Sequence, residues 1–132
     1  MNKTLVIIPT YNEKENVRDI IPAVLTQSPA VEVLIVDDGS PDGTGDIVAE
    51  LATGEPRIHL LRRAGKLGLG TAYLAGFKWA LERDFAFIME MDADFSHNPG
   101  AIPKFLTAIE QADLVLGSRY TCLLYTSDAA DE

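Results

Sequence analysis

The sequence predicts an α/β domain built on a doubly wound, mainly parallel sheet. Three observations carry this. Apolar runs of strand length recur along the chain, among them "TLVIIP" (4–9), "VEVLIV" (31–36) and "FAFIMEM" (85–91). Segments with helical apolar spacing stand between them, so successive strands need crossover connections and pair in parallel. The polar clusters "PTYNE", "DDGS", "DADFS" and "GSR" each follow a strand. That places them on the carboxyl edge of the sheet, where such folds bind ligands.

The elements follow in order. The run at 4–9 has no polar alternation and reads as a strand buried on both faces. "TYNEKEN" is a turn into a helix that starts near Asn12 or Glu13 and carries Val17, Ile20, Ile21, Val24 and Leu25 on one side. Pro22 argues against that helix being unbroken. After the strand at 31–36, "DDGSPDGTGD" is dense in turn residues, and Ile47, Val48 and Leu51 mark a short helix. "RIHLLR" (57–62) is the third strand. "LGLGTAYLAGFKWALER" (67–83) is a helix with Ala72, Ala75, Gly76, Trp79 and Ala80 on a small-residue face. The fourth strand is 85–91. "PGAIPKFLTAIEQ" (99–111) is a helix opened by Pro99, and "DLVLGSR" (113–119) is the fifth strand.

A chain of 132 residues holds one domain. Its net charge of −9 disfavours a nucleic-acid partner, which needs a basic face. No apolar run approaches the roughly 20 residues of a membrane span. The N-terminal apolar run is too short for a signal peptide. Cys122 is the single cysteine, so no internal disulfide forms, and a cytoplasmic location fits. Residues 122–132, "CLLYTSDAADE", have no evident partner segment or cap and resemble a translated sequencing-library adapter. The expectation is one domain over 1–121, truncated at its C-terminus, followed by a non-native tail.

Asp92 and Asp94 end the fourth strand. In extended backbone, residues two apart point the same way, so both carboxylates can face one ligand. Hard oxygen donors suit Mg²⁺ or Mn²⁺, whose charge offsets the repulsion between them. The bland reading of such a pair is solvated charge, but its place at the end of a buried strand favours metal. Asp38, at the end of strand two, is placed to accept hydrogen bonds from a ribose or base, whereas Ser40 and Asp42 read as turn and cap residues. Arg119 suits phosphate through its fork of donors, or is a surface arginine. His97 is a lone histidine, read as a cap or exposed residue rather than a ligand. A dinucleotide fingerprint fails, because Tyr73 stands where a third glycine must follow Gly68 and Gly70. That argues against a Rossmann oxidoreductase, which absence of NAD binding would rule out.

The motifs "IPTYNEKEN", "VDDGSPDGT", "KLGLGTAYLAGF", "MDADFSHNP" and "VLGSRY", in this order over residues 3–120, resemble family 2 glycosyltransferases of the GT-A fold. Within that family they look most like dolichyl- or polyprenyl-phosphate mannosyltransferases. The resemblance implies transfer of mannose from GDP-mannose to a polyprenyl phosphate, by a single inverting displacement that depends on Mg²⁺ or Mn²⁺. It implies that Pro9, Tyr11, Glu13, Val36 and Asp38 line the nucleotide pocket. Asp92, Ala93 and Asp94 would form the diphosphate corner, with Asp94 the main metal ligand and Ser96 beside it. Arg119 would hold phosphate and, with Asp92 and Asp94, make up the catalytic set. The lipid acceptor implies work at the cytoplasmic face of a membrane, aided by acceptor-side segments that such enzymes carry after "GSRY" and that this chain lacks. The alternatives are another family 2 transferase using a UDP-sugar, and an inactive fragment that binds nucleotide-sugar.

Overall fold

The computed structural model describes residues 3–65, 68–94, 98–109, 114–116 and 123–126. Strand β1 (Thr4–Thr10) leads into helix α1 (Lys14–Leu25), β2 (Val31–Asp37), α2 (Thr44–Thr53) and β3 (Ile58–Arg62). Helix α3 (Leu69–Leu81) then precedes β4 (Phe87–Glu90). A 3₁₀ turn (Pro99–Ala101) runs directly into α4 (Ile102–Ile109), and β5 (Leu114–Leu116) and β6 (Leu123–Thr126) complete the sheet.

The strand order is β3-β2-β1-β4-β6-β5. β1 pairs in parallel with β2 on one side and β4 on the other, and β2 pairs in parallel with β3. Alternation along β1 sends Val6 and Ile8 to one face and Leu5 and Ile7 to the other, all four with no exposed surface. Val6 and Ile8 join Val33, Ile35 and the apolar side of α1, with Val48 of α2 and Ile102 of α4. Leu5 and Ile7 join Leu34, Val36, Ile88 and the small residues Ala72 and Ala80 of α3. The sheet is therefore covered on both sides, as the uninterrupted apolar runs require.

Pro22 does not break α1, which continues to Leu25. Pro22 stands on the exposed side of the helix, where a carbonyl left without its helical donor can be hydrated. The expected face of α3 is buried at Ala72, Gly76 and Ala80, while Ala75 and Trp79 are only partly covered. β4 is shorter than its apolar text, because Phe85 is buried ahead of the strand against Trp79.

The largest difference from the sequence reading lies at the C-terminal end. Leu123–Thr126, inside the segment read as a tail without a partner, forms β6 and pairs antiparallel with both β4 and β5. The reason is physical. A parallel strand such as β4 leaves one edge of backbone donors and acceptors open, and any apolar segment that reaches it can pair there. Among the described residues, no helix is long and apolar enough to cross a membrane.

Gly76 sets how closely α3 approaches the sheet. A Cβ at this position would stand 2.7 Å from Cγ2 of Ile7, a side chain with no exposed surface. Gly76→Ala is expected to destabilise the fold by roughly 1–3 kcal/mol through overpacking. A urea midpoint equal to or above that of the wild type would show that α3 has slack against β1.

Candidate active site

The strand order reverses between β1 and β4. The crossover helices that leave β1 (α1) and lead into β4 (α3) lie on opposite faces of the sheet there, and a crevice opens at the carboxyl ends. The structure has an open cleft of about 240 Å³ in this region, lined by Pro9, Thr10, Tyr11, Glu13, Asp38, Gly68, Ala72, Asp92, Ala93 and Asp94. Seven of these were singled out from sequence: Pro9, Tyr11, Glu13, Asp38, Asp92, Ala93 and Asp94.

Val36 departs from expectation. It has no exposed surface and packs with Leu5, Ile7 and Leu34 below the cleft rather than on its wall. It shares its side of β2 with Asp38 by alternation, but lies one step deeper, against α3. Ser96, His97 and Arg119 lie outside the described residues.

The first wall of the cleft is made by two loops stitched together. The backbone N–H groups of Asn12, Glu13 and Lys14 donate to Ser40 Oγ (2.9 Å), Thr44 Oγ1 (3.0 Å) and Asp42 Oδ2 (3.2 Å). In return, the N–H of Asp42 donates to Asn12 Oδ1 at 3.3 Å. Glu13, the N-cap of α1, makes no capping bond with its own side chain. The orphan donors at the start of α1 are satisfied from the loop after β2 instead. Asn12 takes a φ of 56°, a left-handed conformation that asparagine tolerates better than most residues. Burial works to raise the Asp42 carboxyl, but hydrogen bonds from the Thr44 side chain and the Lys14 and Thr44 backbone outweigh it and leave it below its ordinary value. Ser40 is thus a turn residue, and Asp42 accepts from the first backbone N–H of both α1 and α2.

The "DD" pair divides its labour. Asp37, 3% exposed, accepts from Thr10 Oγ1 (2.8 Å), Ser40 Oγ (2.6 Å) and the Ser40 N–H (3.1 Å), so it organises the turn. Asp38 faces the cleft and is held by Arg63, whose Nε donates to Oδ1 at 2.6 Å and Nη2 to Oδ2 at 2.8 Å. The sequence reading missed Arg63, though it follows β3 directly, at a strand end like the other polar signals.

The second wall carries the carboxylates after β4. Asp92 is partly buried and accepts from the Tyr73 hydroxyl at 3.0 Å; Asp94 is exposed. Tyr73, too, escaped the sequence reading, which weighed it only as a missing glycine. Asp92 and Asp94 both line the cleft, although Ala93 and Asp94 stand in a turn and not in extended backbone. Their hard oxygens fit a Mg²⁺ or Mn²⁺ ion that takes the rest of its shell from water and a ligand's phosphates. Among the described residues, no cluster of three or more histidine, cysteine or carboxylate side chains forms a closed metal cage. A two-carboxylate platform is what a substrate-bridged ion needs, so the residues present suit that ion better than a structural metal.

Just before this pair, Glu90 is 9% exposed. Burial pushes its carboxyl up to about 7, and the Asp92 charge adds to the effect. The folded chain therefore keeps this proton at a pH where the unfolded chain has lost it. The contribution of Glu90 to stability falls as pH rises from the ordinary glutamate value through about 7, and is constant above. In EDTA, Glu90→Gln is expected to remove this slope and to exceed the wild type by roughly 1–2 kcal/mol at pH 8. Parallel stability–pH profiles for the two proteins would contradict this account of Glu90.

The family model described as "Glycosyl transferase family 2" matches residues 5–128. "Polyprenol monophosphomannose synthase" of Mycolicibacterium smegmatis is 53% identical over 120 residues, covering 89% of this chain and 45% of that protein. "Undecaprenyl-phosphate mannosyltransferase" of Micrococcus luteus is 50% identical over 117 residues, covering 89% and 48%. The chain thus spans less than half the length of these curated relatives. Among solved structures, the mannosyltransferase PcManGT of Pyrobaculum calidifontis, in complex with GDP-Man and Mn²⁺, superposes with a TM-score of 0.74 at 16% identity, over 98% of this chain and 46% of that one. S. aureus TarS 1-349 gives 0.67 at 23% identity, over 86% and 34%. The architecture is the GT-A fold, and the chain belongs to glycosyl transferase family 2.

Proposed function

We propose that this chain is the donor-binding part of a transferase that moves mannose from GDP-mannose to a polyprenyl phosphate, with inversion at the anomeric carbon. One observation carries the reading. A single cleft at the reversal of strand order brings together Asp38, suited to a ribose or base, and Asp92 with Asp94, suited to a metal-bound diphosphate. The names and 50–53% identities of the curated relatives support a polyprenyl-phosphate acceptor. The fold neighbour solved with GDP-Man and Mn²⁺ is in keeping with the donor and the cation.

Each residue then has a task. Pro9, Tyr11 and Glu13 form the wall against which the nucleoside lies, and Asp38 accepts hydrogen bonds from it. Asp92 and Asp94, on either side of Ala93, hold Mg²⁺ or Mn²⁺ beside the diphosphate, Asp94 as the main ligand and Ser96 next to it. When bound, such an ion stabilises the charge that develops on a departing nucleoside diphosphate. Arg119 holds phosphate with its fixed charge and planar fork. The acceptor phosphate is already anionic near neutral pH, so its attack needs no strong general base. Asp92 and Asp94 therefore serve the leaving group and are not a glycosidase-like acid and base. The lipid acceptor places the work at a membrane surface, on the cytoplasmic face.

The test is calorimetric titration of the chain with GDP-mannose. In Mn²⁺ the wild type is expected to bind, and in EDTA to weaken at least about tenfold, a loss expected where charge-assisted contacts are removed. Asp94→Ala in Mn²⁺ should match the wild type in EDTA. UDP-glucose binding as tightly as GDP-mannose would overturn the donor assignment. Binding indifferent to metal and to Asp94→Ala would overturn the assignment of the cation.

A further inference from the structure

Arg63 joins three parts of the cleft that are separate in sequence. Its Nε and Nη2 hold both oxygens of Asp38, at 2.6 and 2.8 Å, at the end of β2. Its Nη1 donates to Thr71 Oγ1 at 3.1 Å in the first turn of α3, and Nη2 also reaches the Gly68 carbonyl at 3.4 Å. Thr71 Oγ1 donates in turn to that carbonyl at 2.8 Å. The backbone N–H of Arg63 is anchored to the Asp37 carbonyl at 2.7 Å. The side chain is only 12% exposed and that of Asp38 only 8%. Gly68 has a φ of 101°, a conformation glycine adopts without strain, so its carbonyl can be presented at the start of α3.

These contacts fix a direction. A carboxylate gripped by a planar fork cannot rotate about its terminal bond, and its remaining lone pairs are locked relative to β2. Asp38 and Gly68 are both cleft-lining residues, and Arg63 sets the distance between them. We propose that Arg63 is the positioning residue of the nucleoside pocket. It acts through Asp38 and Gly68 and fixes the acceptors that meet the ribose or base before any ligand arrives. Arg63 holds Asp38 and the start of α3 directly, whereas Asp92 is reached through Tyr73 further along that helix. The inference rests on the reading of this cleft as a nucleotide-sugar site.

The consequence is selective. Weakening the grip should cost affinity for ligands that carry a nucleoside and spare ligands that are diphosphate alone. Lysine in place of Arg63 keeps the charge but loses the fork, which makes it the informative substitution. The experiment compares GDP and inorganic pyrophosphate, each with Mn²⁺, on wild type, Arg63→Lys, Asp38→Asn and the double variant, with thermal midpoints to establish folding. Arg63→Lys is expected to weaken GDP about tenfold, the scale of a charge-assisted hydrogen bond, and to leave pyrophosphate unchanged. Asp38→Asn should do the same, and the double variant should be little worse than either single one, because both act on one contact. Equal losses for GDP and pyrophosphate, or additive losses in the double variant, would overturn the positioning role. So would unchanged GDP affinity in Arg63→Lys. A wild type that binds pyrophosphate but gains nothing from the nucleoside would overturn the nucleotide-sugar reading itself, and this inference with it.

Discussion

Strand β1 is the constraint on which the rest depends. From Thr4 to Ile7 it is paired in parallel on both edges and covered on both faces, and its end at Pro9 and Thr10 meets the cleft. A parallel neighbour on each side demands a helical crossover in each direction, and the handedness rule sends those crossovers to opposite faces. The crevice between the ends of β1 and β4 follows from that geometry before any functional side chain is considered. Gly76 shows how tightly the arrangement is closed, since the helix on one face has no room for a methyl group above Ile7.

The crevice gathers acid, and the fold answers each carboxylate differently. Asp37 is satisfied by neutral hydroxyls and a backbone N–H in a turn. Asp38 is matched by a guanidinium. Asp92 receives a phenol hydroxyl, and Glu90 behind it keeps its proton into the neutral range because burial and the Asp92 charge both oppose ionisation. One side of the cleft is therefore neutralised internally. The other carries Asp92, held by the Tyr73 hydroxyl, and the exposed Asp94.

Much of this was legible in the sequence because periodicity reports burial. β1, β2, α1 and α3 appear where the apolar patterns put them, and Asp38, Asp92 and Asp94 line one cleft at the carboxyl ends of the strands. The pattern does not report hydrogen bonding, so β4 was read too long: Phe85 is buried but stands outside the ladder. Arg63 and Tyr73 were illegible because what matters about each is a partner 25 or 19 positions away. Val36, assigned to the pocket by resemblance and not by pattern, has no exposed surface and packs below the cleft. Asn98 caps the 3₁₀ turn by accepting from the Gly100 N–H, a local signal that was present and unused. β6 was missed because an open strand edge selects partners by reach and apolar character, which leave little mark in text.

The bonds between the loops after β1 and β2 carry an evolutionary consequence. Asn12, Ser40, Asp42 and Thr44 satisfy one another's loops across roughly thirty positions of chain, and the start of α1 relies on them. A change in any one removes a bond to the opposite loop, so these positions are coupled. Diversification of this protein toward new substrates would have to proceed elsewhere, on the wall beyond β4. The wall made by these two loops would be inherited as a block.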